Sequence, residues 1–96
     1  MNLVWSAHAL DDRIAHFRYI ASDSFAAAAK VDDAMEAATQ QLVDFPESGR
    51  PGRVSGVREL VVPGMPYVIV YATQGDVVRI LRVLHGAQQW PDGLTR

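Results

Sequence analysis

The sequence predicts an α+β domain in which two helices pack on one face of a single β-sheet. Three observations predict this fold class. A short apolar run opens the 96-residue chain, two stretches with helical spacing of apolar residues follow, and three runs rich in β-branched and aromatic residues come last. The short connections between the last three runs predict antiparallel pairing. The expected order is therefore an N-terminal strand, a helical hairpin and a three-stranded antiparallel meander.

The first half of the chain supplies the first strand and both helices. Residues 2–5 form the opening apolar run, and Ser6 belongs to the residue types that cap a helix by accepting a backbone hydrogen bond. Residues 7–21 and 25–44 each carry apolar side chains three and four positions apart, separated by a break at Asp23-Ser24. Such spacing predicts two amphipathic helices with their apolar stripes turned inwards. The stripes comprise Leu10, Ile14, Phe17 and Ala21, then Val31, Met35, Ala38, Leu42 and Phe45.

The second half supplies the meander. Pro46 is expected to end the second helix, and the glycine and proline content of residues 47–56 predicts an exposed loop. The three strands are expected at residues 57–62, 67–72 and 77–84, with turns at 63–66 and 74–76 and a short tail over 86–96. At this length we expect one domain that spans residues 1–96.

Composition limits the function classes. The chain has no cysteine, which excludes disulfides and thiolate metal sites. It shows neither the features of a signal peptide nor an apolar run of about 20 residues, so we expect a cytoplasmic protein without a membrane segment. The net charge of −2 divides into about −5 for residues 1–48 and +3 for residues 49–96. This division fits either a basic recognition surface or pairing between the two halves.

The middle strand of the meander is apolar on both faces. Tyr67, Ile69 and Tyr71 alternate with Val68, Val70 and Ala72. Two helices cover only one face of a sheet, so the other face, which carries Arg79 or Arg82 among apolar neighbours, needs a cover from the chain's own tail or from another protein. A partner protein is the simpler explanation.

Several segments resemble, in their order, the RelE/ParE superfamily of toxins from bacterial type II toxin–antitoxin pairs. They are residues 45–50 (FPESGR), 56–60 (GVREL), 66–71 (PYVIVY) and 80–85 (ILRVLH), the last running on to Trp90-Pro91. With the two helices in front of them, the resemblance extends from Trp5 to Pro91. The ParE branch is the more similar one, since Val68 stands where ribosome-dependent nucleases usually have an arginine, and residues 86–89 lack their basic residue.

The resemblance implies a toxin that inhibits DNA gyrase by binding. It further implies a cognate antitoxin that wraps the uncovered sheet face, a toxin–antitoxin hetero-oligomer, a role in stress response, and neither cofactor nor catalytic residues. The target- or partner-binding candidates are Arg50, Arg53, Arg58, Tyr67, Tyr71, Arg79, Arg82, His85 and Trp90. Each also has a framework interpretation, such as cross-strand packing for the tyrosines, a loop charge for Arg50 and Arg53, or anchoring of the tail for Trp90.

Two alternatives remain open. The first is a metal-independent, RelE-like endoribonuclease that cuts mRNA on the ribosome, with Arg58 and Arg82 stabilising phosphate charge and His85 as general acid or base. The second is a degenerate homologue that binds its antitoxin and is not toxic. No metal site is predicted, because His8 and His16 are eight residues apart and no carboxylate set accompanies them.

Overall fold

A computed structural model describes residues 1–86, in which two helices lie on one face of a five-stranded mixed sheet. The fold class predicted from the sequence is confirmed. In chain order the elements are β1 (Asn2–Trp5), α1 (Ala7–Ala21), α2 (Phe25–Asp44), β2 (Arg50–Pro51), β3 (Arg58–Val61), β4 (Tyr67–Gln74) and β5 (Val77–His85).

Both helices begin at a serine cap. The Ser6 hydroxyl accepts a hydrogen bond from the backbone N–H of Ala9 at 3.0 Å, and the Ser24 hydroxyl accepts one from Ala27 at 3.1 Å. Each cap satisfies a backbone donor that has no partner inside the helix. The Ser6 hydroxyl also donates to the carbonyl oxygen of Leu81, so this cap fixes the start of α1 against β5.

The strand order is β1-β5-β4-β3-β2. The chain leaves β1 through the helical hairpin and returns by the meander, which brings β5 alongside β1 in a parallel pair. The β3–β4 and β4–β5 pairs are antiparallel, as the short turns predict. Strand β5 has one more residue than β4 at one point of their pairing. Val70 pairs with Arg82 and Tyr71 pairs with Ile80, which leaves Leu81 without a partner in the register. This irregularity reorients the residues of β5 that follow it.

The main core lies between the helices and the sheet. Ala9 of α1 and Met35, Ala38 and Leu42 of α2 are buried in it, which confirms most of the predicted α2 stripe. The sheet contributes buried side chains from β4 and β5, namely Tyr67, Ile69, Tyr71, Val78, Ile80 and Val83. Burial of these apolar side chains is the main driving force for the fold.

The predicted orientation of the α1 stripe is wrong. Leu10 and Ile14 are 45% and 49% exposed, and α1 instead turns Ala9, Asp12 and His16 towards β5. Residues 9, 12 and 16 also have helical spacing, so periodicity alone does not select between the two faces. At the end of α2, Phe45 is likewise exposed and lies outside the core.

On the far side of the sheet, the expectation of an open apolar face holds at the edges, where Val4 and Val61 are 38% and 47% exposed, and is wrong for the centre. A second buried cluster lies there and comprises Val57, Val70, Ala72, Leu81 and Leu84. Val54, from the segment between β2 and β3, packs against it. Exposed apolar side chains are therefore found both on the sheet and on the helices.

The segment 47–56, predicted as a loop, contains the two-residue strand β2, which pairs antiparallel with β3. The other strands differ from the predicted bounds at their ends: β3 is shorter, and β4 and β5 extend to Gln74 and His85. Of the predicted tail over 86–96, only Gly86 is among the described residues. Within residues 1–86, neither helix combines the length and apolarity needed to span a membrane.

Candidate functional site

Arg82, a candidate for both binding and catalysis, is held against α1. Its Nε and Nη2 donate to the two carboxylate oxygens of Asp12 at 2.7 and 2.9 Å. The same carboxylate accepts a hydrogen bond from the backbone N–H of Val83 at 2.9 Å. This bidentate pair raises the pKa of Arg82, with the hydrogen bond to Asp12 as the largest cause.

Arg58 and Tyr71 together hold the segment that follows α2. The fully buried Tyr71 hydroxyl donates to the carbonyl oxygen of Pro46 at 2.8 Å and accepts from the N–H of Gly49 at 2.9 Å. The Arg58 guanidinium donates to the Gly49 carbonyl oxygen at 2.7 Å, with a longer contact to that of Glu47. Burial raises the pKa of the Tyr71 phenol, and the hydrogen bond from Gly49 opposes that rise.

Arg50 and Arg53 are organised by a buried carboxylate on β3. Glu59 is only 3% exposed, and it accepts hydrogen bonds from Arg50 Nη2 at 3.1 Å and from the Arg53 backbone N–H at 3.0 Å. Both arginine side chains remain more than half exposed. A buried carboxylate needs such partners, and these contacts tie the β2 segment to the sheet.

Tyr67 and His85 belong to a group of packed rings. The His85 ring meets the Tyr67 ring edge-on at 5.4 Å, and His16 of α1 lies 4.9 Å from Tyr67 on a tilted plane. His16 Nε2 is 2.8 Å from the carbonyl oxygen of Val83. Burial, with a smaller contribution from the phenol of Tyr19, raises the pKa of Tyr67.

The two remaining candidates are Arg79 and Trp90. Arg79 is exposed and lines a small hollow at the β4–β5 turn together with Ala72, Thr73 and Gln74. Trp90 lies outside the described residues.

The three nuclease candidates are not brought together. Arg58 pairs in register with Tyr71, whereas His85 pairs with Tyr67, four residues earlier in β4. That offset is about 13 Å along the strand, at roughly 3.3 Å per residue. Arg58 points to the loop after α2, and Arg82 points to Asp12 of α1. General acid–base catalysis needs hydrogen-bond distances, and in the free chain Arg58 and Arg82 are directed at different partners.

The helical hairpin carries an exposed apolar surface that the sequence pattern assigned to the core. A groove of about 400 Å³ is lined by Leu10, Arg13, Ile14, Phe17, Arg18 and Asp32, and we call it the hairpin groove. The exposed ring of Phe25 meets Phe17 edge-on at 5.5 Å and extends the apolar surface towards the start of α2.

Arg13 makes one side of the hairpin groove rigid. Its guanidinium donates to Asp32 at 2.7 and 2.9 Å and to Glu36 at 2.8 Å, and it lies 5.0 Å from the ring centre of Trp5. These interactions raise its pKa, chiefly through the hydrogen bond to Asp32. The groove is therefore preformed in the isolated chain.

Sequence reasoning missed Asp12 and His16. Both fix the backbone of β5 at Val83, beyond the last residue of β5 that pairs with β1. The available signal was their spacing of four residues, which places two hydrogen-bonding side chains on one side of α1. Within residues 1–86, no group of three histidine or acidic side chains is placed to hold a metal ion.

Comparisons with known proteins agree with the fold. Residues 3–90 match the family model described as ParE toxin of type II toxin-antitoxin system, parDE. Y4kP of Sinorhizobium fredii, a protein named as a toxin, is 46% identical over 76 residues, which cover 79% of this chain and 78% of that protein. Toxin RelE2 of Caulobacter vibrioides is 37% identical over 86 residues, which cover 90% of this chain and 96% of that protein.

A solved structure shares the architecture. This structure, of the chromosomal ParDE TA system from P. aeruginosa, superposes with a TM-score of 0.78 at 27% sequence identity. The match covers 88% of this chain and 95% of the other. The resemblance found in the sequence is thus confirmed, and the chain belongs to the ParE family of toxins from type II toxin–antitoxin systems.

Proposed function

We propose that this toxin acts by binding DNA gyrase and that a cognate antitoxin neutralises it by covering the hairpin groove. The observation that carries the first part is that three of the candidate arginines bind other groups of the same chain. Arg82 is bound to Asp12, Arg58 to backbone carbonyl oxygens, and Arg50 to Glu59. A toxin that acts by binding a protein does not need these guanidinium groups to be free for contact with phosphate.

Releasing Arg82 from Asp12 would cost free energy. To neutralise a phosphate, its guanidinium would have to release two charge-assisted hydrogen bonds to Asp12. Each bond to a charged group contributes about 1.5–3 kcal/mol, and Asp12 would be left without its cation. This cost supports a binding mechanism over RNA cleavage.

The hairpin groove supports the second part. Leu10 and Ile14 are about half exposed on a groove that Arg13 keeps in shape, and an apolar surface of this kind is typical of protein interaction sites. We propose that an apolar antitoxin segment fills it, in the manner of a helix in a groove. Since the centre of the second sheet face is buried, we propose the groove in place of that face as the antitoxin site. The complex would be a cytoplasmic hetero-oligomer.

One observation favours a second candidate function. The 37% identity to Toxin RelE2 covers most of both chains, and it keeps the ribosome-dependent endoribonuclease as the alternative. In that case Arg58, Arg82 and His85 would have to be rearranged on the ribosome, because they do not converge in the free chain.

The deciding experiment compares two assays on one preparation of the purified toxin. We expect inhibition of DNA supercoiling by gyrase, reversed by added antitoxin, with ribosome-bound mRNA left intact. Cleavage of that mRNA without any effect on supercoiling would replace gyrase by the ribosome. Normal growth after expression without antitoxin would leave only the degenerate homologue.

The antitoxin site is tested by Ile14→Asp, which places a charge inside the hairpin groove. We expect antitoxin affinity to fall by about thirty-fold, the typical effect of losing an apolar hot spot. The matched control is Ala15→Asp, at the neighbouring exposed position on α1. Equal affinity of the two variants would refute this site.

A further inference from the structure

A second surface at the end of α2 has the features of a docking site and differs from the hairpin groove. An open cleft of about 550 Å³ is lined by Gln41, Asp44, Phe45, Pro46, Glu47 and Ser48. We call it the α2-end cleft. Phe45 is 63% exposed there, although a phenylalanine directly after an amphipathic helix is normally expected in the core.

The backbone of the α2-end cleft is held in one conformation. Tyr71 binds both Pro46 and Gly49 through its hydroxyl, and Arg58 binds the Gly49 carbonyl oxygen. A side chain at Gly49 would come within 2.6 Å of the Tyr71 hydroxyl, so this position has no room for one. Preorganisation of this kind lowers the entropy lost when a partner binds.

The charge of the cleft indicates which partner it accepts. Asp44 and Glu47 line it, and neither is in an ion pair within the described part of the chain. The last turn of α2 has no basic side chain, and the cation at this end of the helix is the N-terminal ammonium of Met1, which donates to the Val43 carbonyl oxygen at 3.3 Å, outside the side chains that line the cleft. An exposed ring beside two carboxylates complements a protein segment that presents an apolar side chain next to a lysine or arginine. The same charge disfavours RNA and DNA phosphates.

The cleft and the proposed antitoxin site share no lining residue. On α2, Asp32 lines the hairpin groove, and Gln41 is the residue of the cleft nearest to it in sequence. These nine helical residues correspond to about 14 Å, at 1.5 Å per residue. One toxin can therefore present different surfaces to its inhibitor and to its target.

We propose that the α2-end cleft docks a basic, apolar segment of the toxin's protein target, with Phe45 as the central contact and Tyr71 and Arg58 as positioning residues. The inference rests on the proposed function, because it assumes a toxin that acts by binding a protein. It adds the surface used and the chemistry of the segment recognised.

The first test replaces Phe45 by alanine and, in a separate variant, reverses charge with Asp44→Lys and Glu47→Lys. The controls are Tyr19→Ala, an exposed aromatic side chain on α1, and Asp33→Lys, an exposed acidic residue of α2. We expect the dose of toxin needed for growth arrest to rise about thirty-fold or more for the cleft variants, as for hot-spot residues, and to stay unchanged for the controls. Antitoxin affinity should remain within about two-fold in all four.

Three outcomes would overturn the inference: unchanged growth arrest in both cleft variants, a parallel loss of antitoxin affinity, or a wild-type toxin that does not arrest growth. A photo-crosslinker at position 45, mixed with purified gyrase, should label it, whereas a crosslinker at position 19 should not. If the wild type arrests growth without inhibiting or labelling gyrase, the proposed target is wrong. The cleft is then still judged by the effect of Phe45→Ala on growth arrest.

Discussion

Asp12 binds Arg82 through both carboxylate oxygens, at 2.7 and 2.9 Å, and so joins the middle of α1 to β5 across 70 residues of sequence. The pair lies where β5 has passed the end of β1, and the same carboxylate accepts the free N–H of Val83. A helix side chain thus closes an open strand edge that would otherwise expose backbone hydrogen-bonding groups.

Replacing Asp12 by asparagine should destabilise the fold. The amide keeps the shape of the side chain but removes the charge that binds Arg82, and it can accept fewer hydrogen bonds. We expect the free energy of unfolding to fall by about 2 kcal/mol, as for hydrogen bonds to charged groups, when measured by urea denaturation. Asp11→Asn, at the exposed neighbouring position, is the matched control and should have little effect. Equal stability of both variants would show that the pair contributes nothing.

The same contact explains why one part of the fold was not predictable. The sequence identifies α1, its bounds and its serine cap, because these depend on local spacing and capping. Its orientation depends on the edge of β5, formed more than 60 residues later in the chain. Asp12 and His16 cover that edge by binding the backbone of Val83. Because they face β5, Leu10 and Ile14 face the surface. Periodicity detects the apolar stripe but not which neighbour it meets.

Replacing Tyr71 by phenylalanine tests how the α2-end cleft is held. The variant keeps the buried ring but leaves the Gly49 N–H and the Pro46 carbonyl oxygen without their shared partner. We expect a loss of about 1–3 kcal/mol in the free energy of unfolding, the cost of a buried unsatisfied donor. Tyr19→Phe removes an exposed hydroxyl and should cost little. A Tyr71→Phe protein as stable as the wild type would contradict the framework role.

Tyr71 should also make stability depend on pH in the alkaline range. Burial raises its pKa in the folded state above the ordinary value of 10.0, so the folded protein holds the phenol proton more tightly than the unfolded chain does. This contribution is complete below pH 10 and is lost as pH rises through the folded-state pKa. In urea denaturation between pH 8 and pH 11, the wild type should therefore lose stability more steeply than Tyr71→Phe. Burial also raises the pKa of Tyr67. Tyr67 is present in both proteins, so it does not affect the difference between their pH dependences.

Gly49 is required by packing. A methyl group there would lie 2.6 Å from the Tyr71 hydroxyl and 2.9 Å from the Glu59 carbonyl oxygen, both of which are fixed. We expect Gly49→Ala to lower the free energy of unfolding by about 1–3 kcal/mol, as overpacking does. A suitable control is Gly75→Asn, because no atom lies within 4 Å of a side chain there and asparagine tolerates the positive φ of 58°. Wild-type stability of Gly49→Ala would mean that the loop moves freely.

The candidate residues show what the sequence does and does not reveal about the site. The family resemblance and residue type pointed to Arg58, Arg82 and His85, and all three lie on the sheet as expected. Their roles depend on partners elsewhere in the chain, such as Asp12 for Arg82 and the loop after α2 for Arg58. The exposed position of Phe45 was not predictable either, since an apolar residue in register with the α2 stripe is usually buried.

His85→Ala separates the two mechanisms. In the binding mechanism His85 is a framework residue that packs on the Tyr67 ring, so the variant should still arrest growth at a toxin dose within a few-fold of the wild type. In the nuclease mechanism it is the acid or base, and removing it should reduce mRNA cleavage about a hundred-fold or more. His8→Ala, an exposed histidine on α1, controls for the loss of an imidazole. Circular dichroism of both variants should confirm that they fold. If a folded His85→Ala protein no longer arrests growth, that result would count against binding as the mode of action.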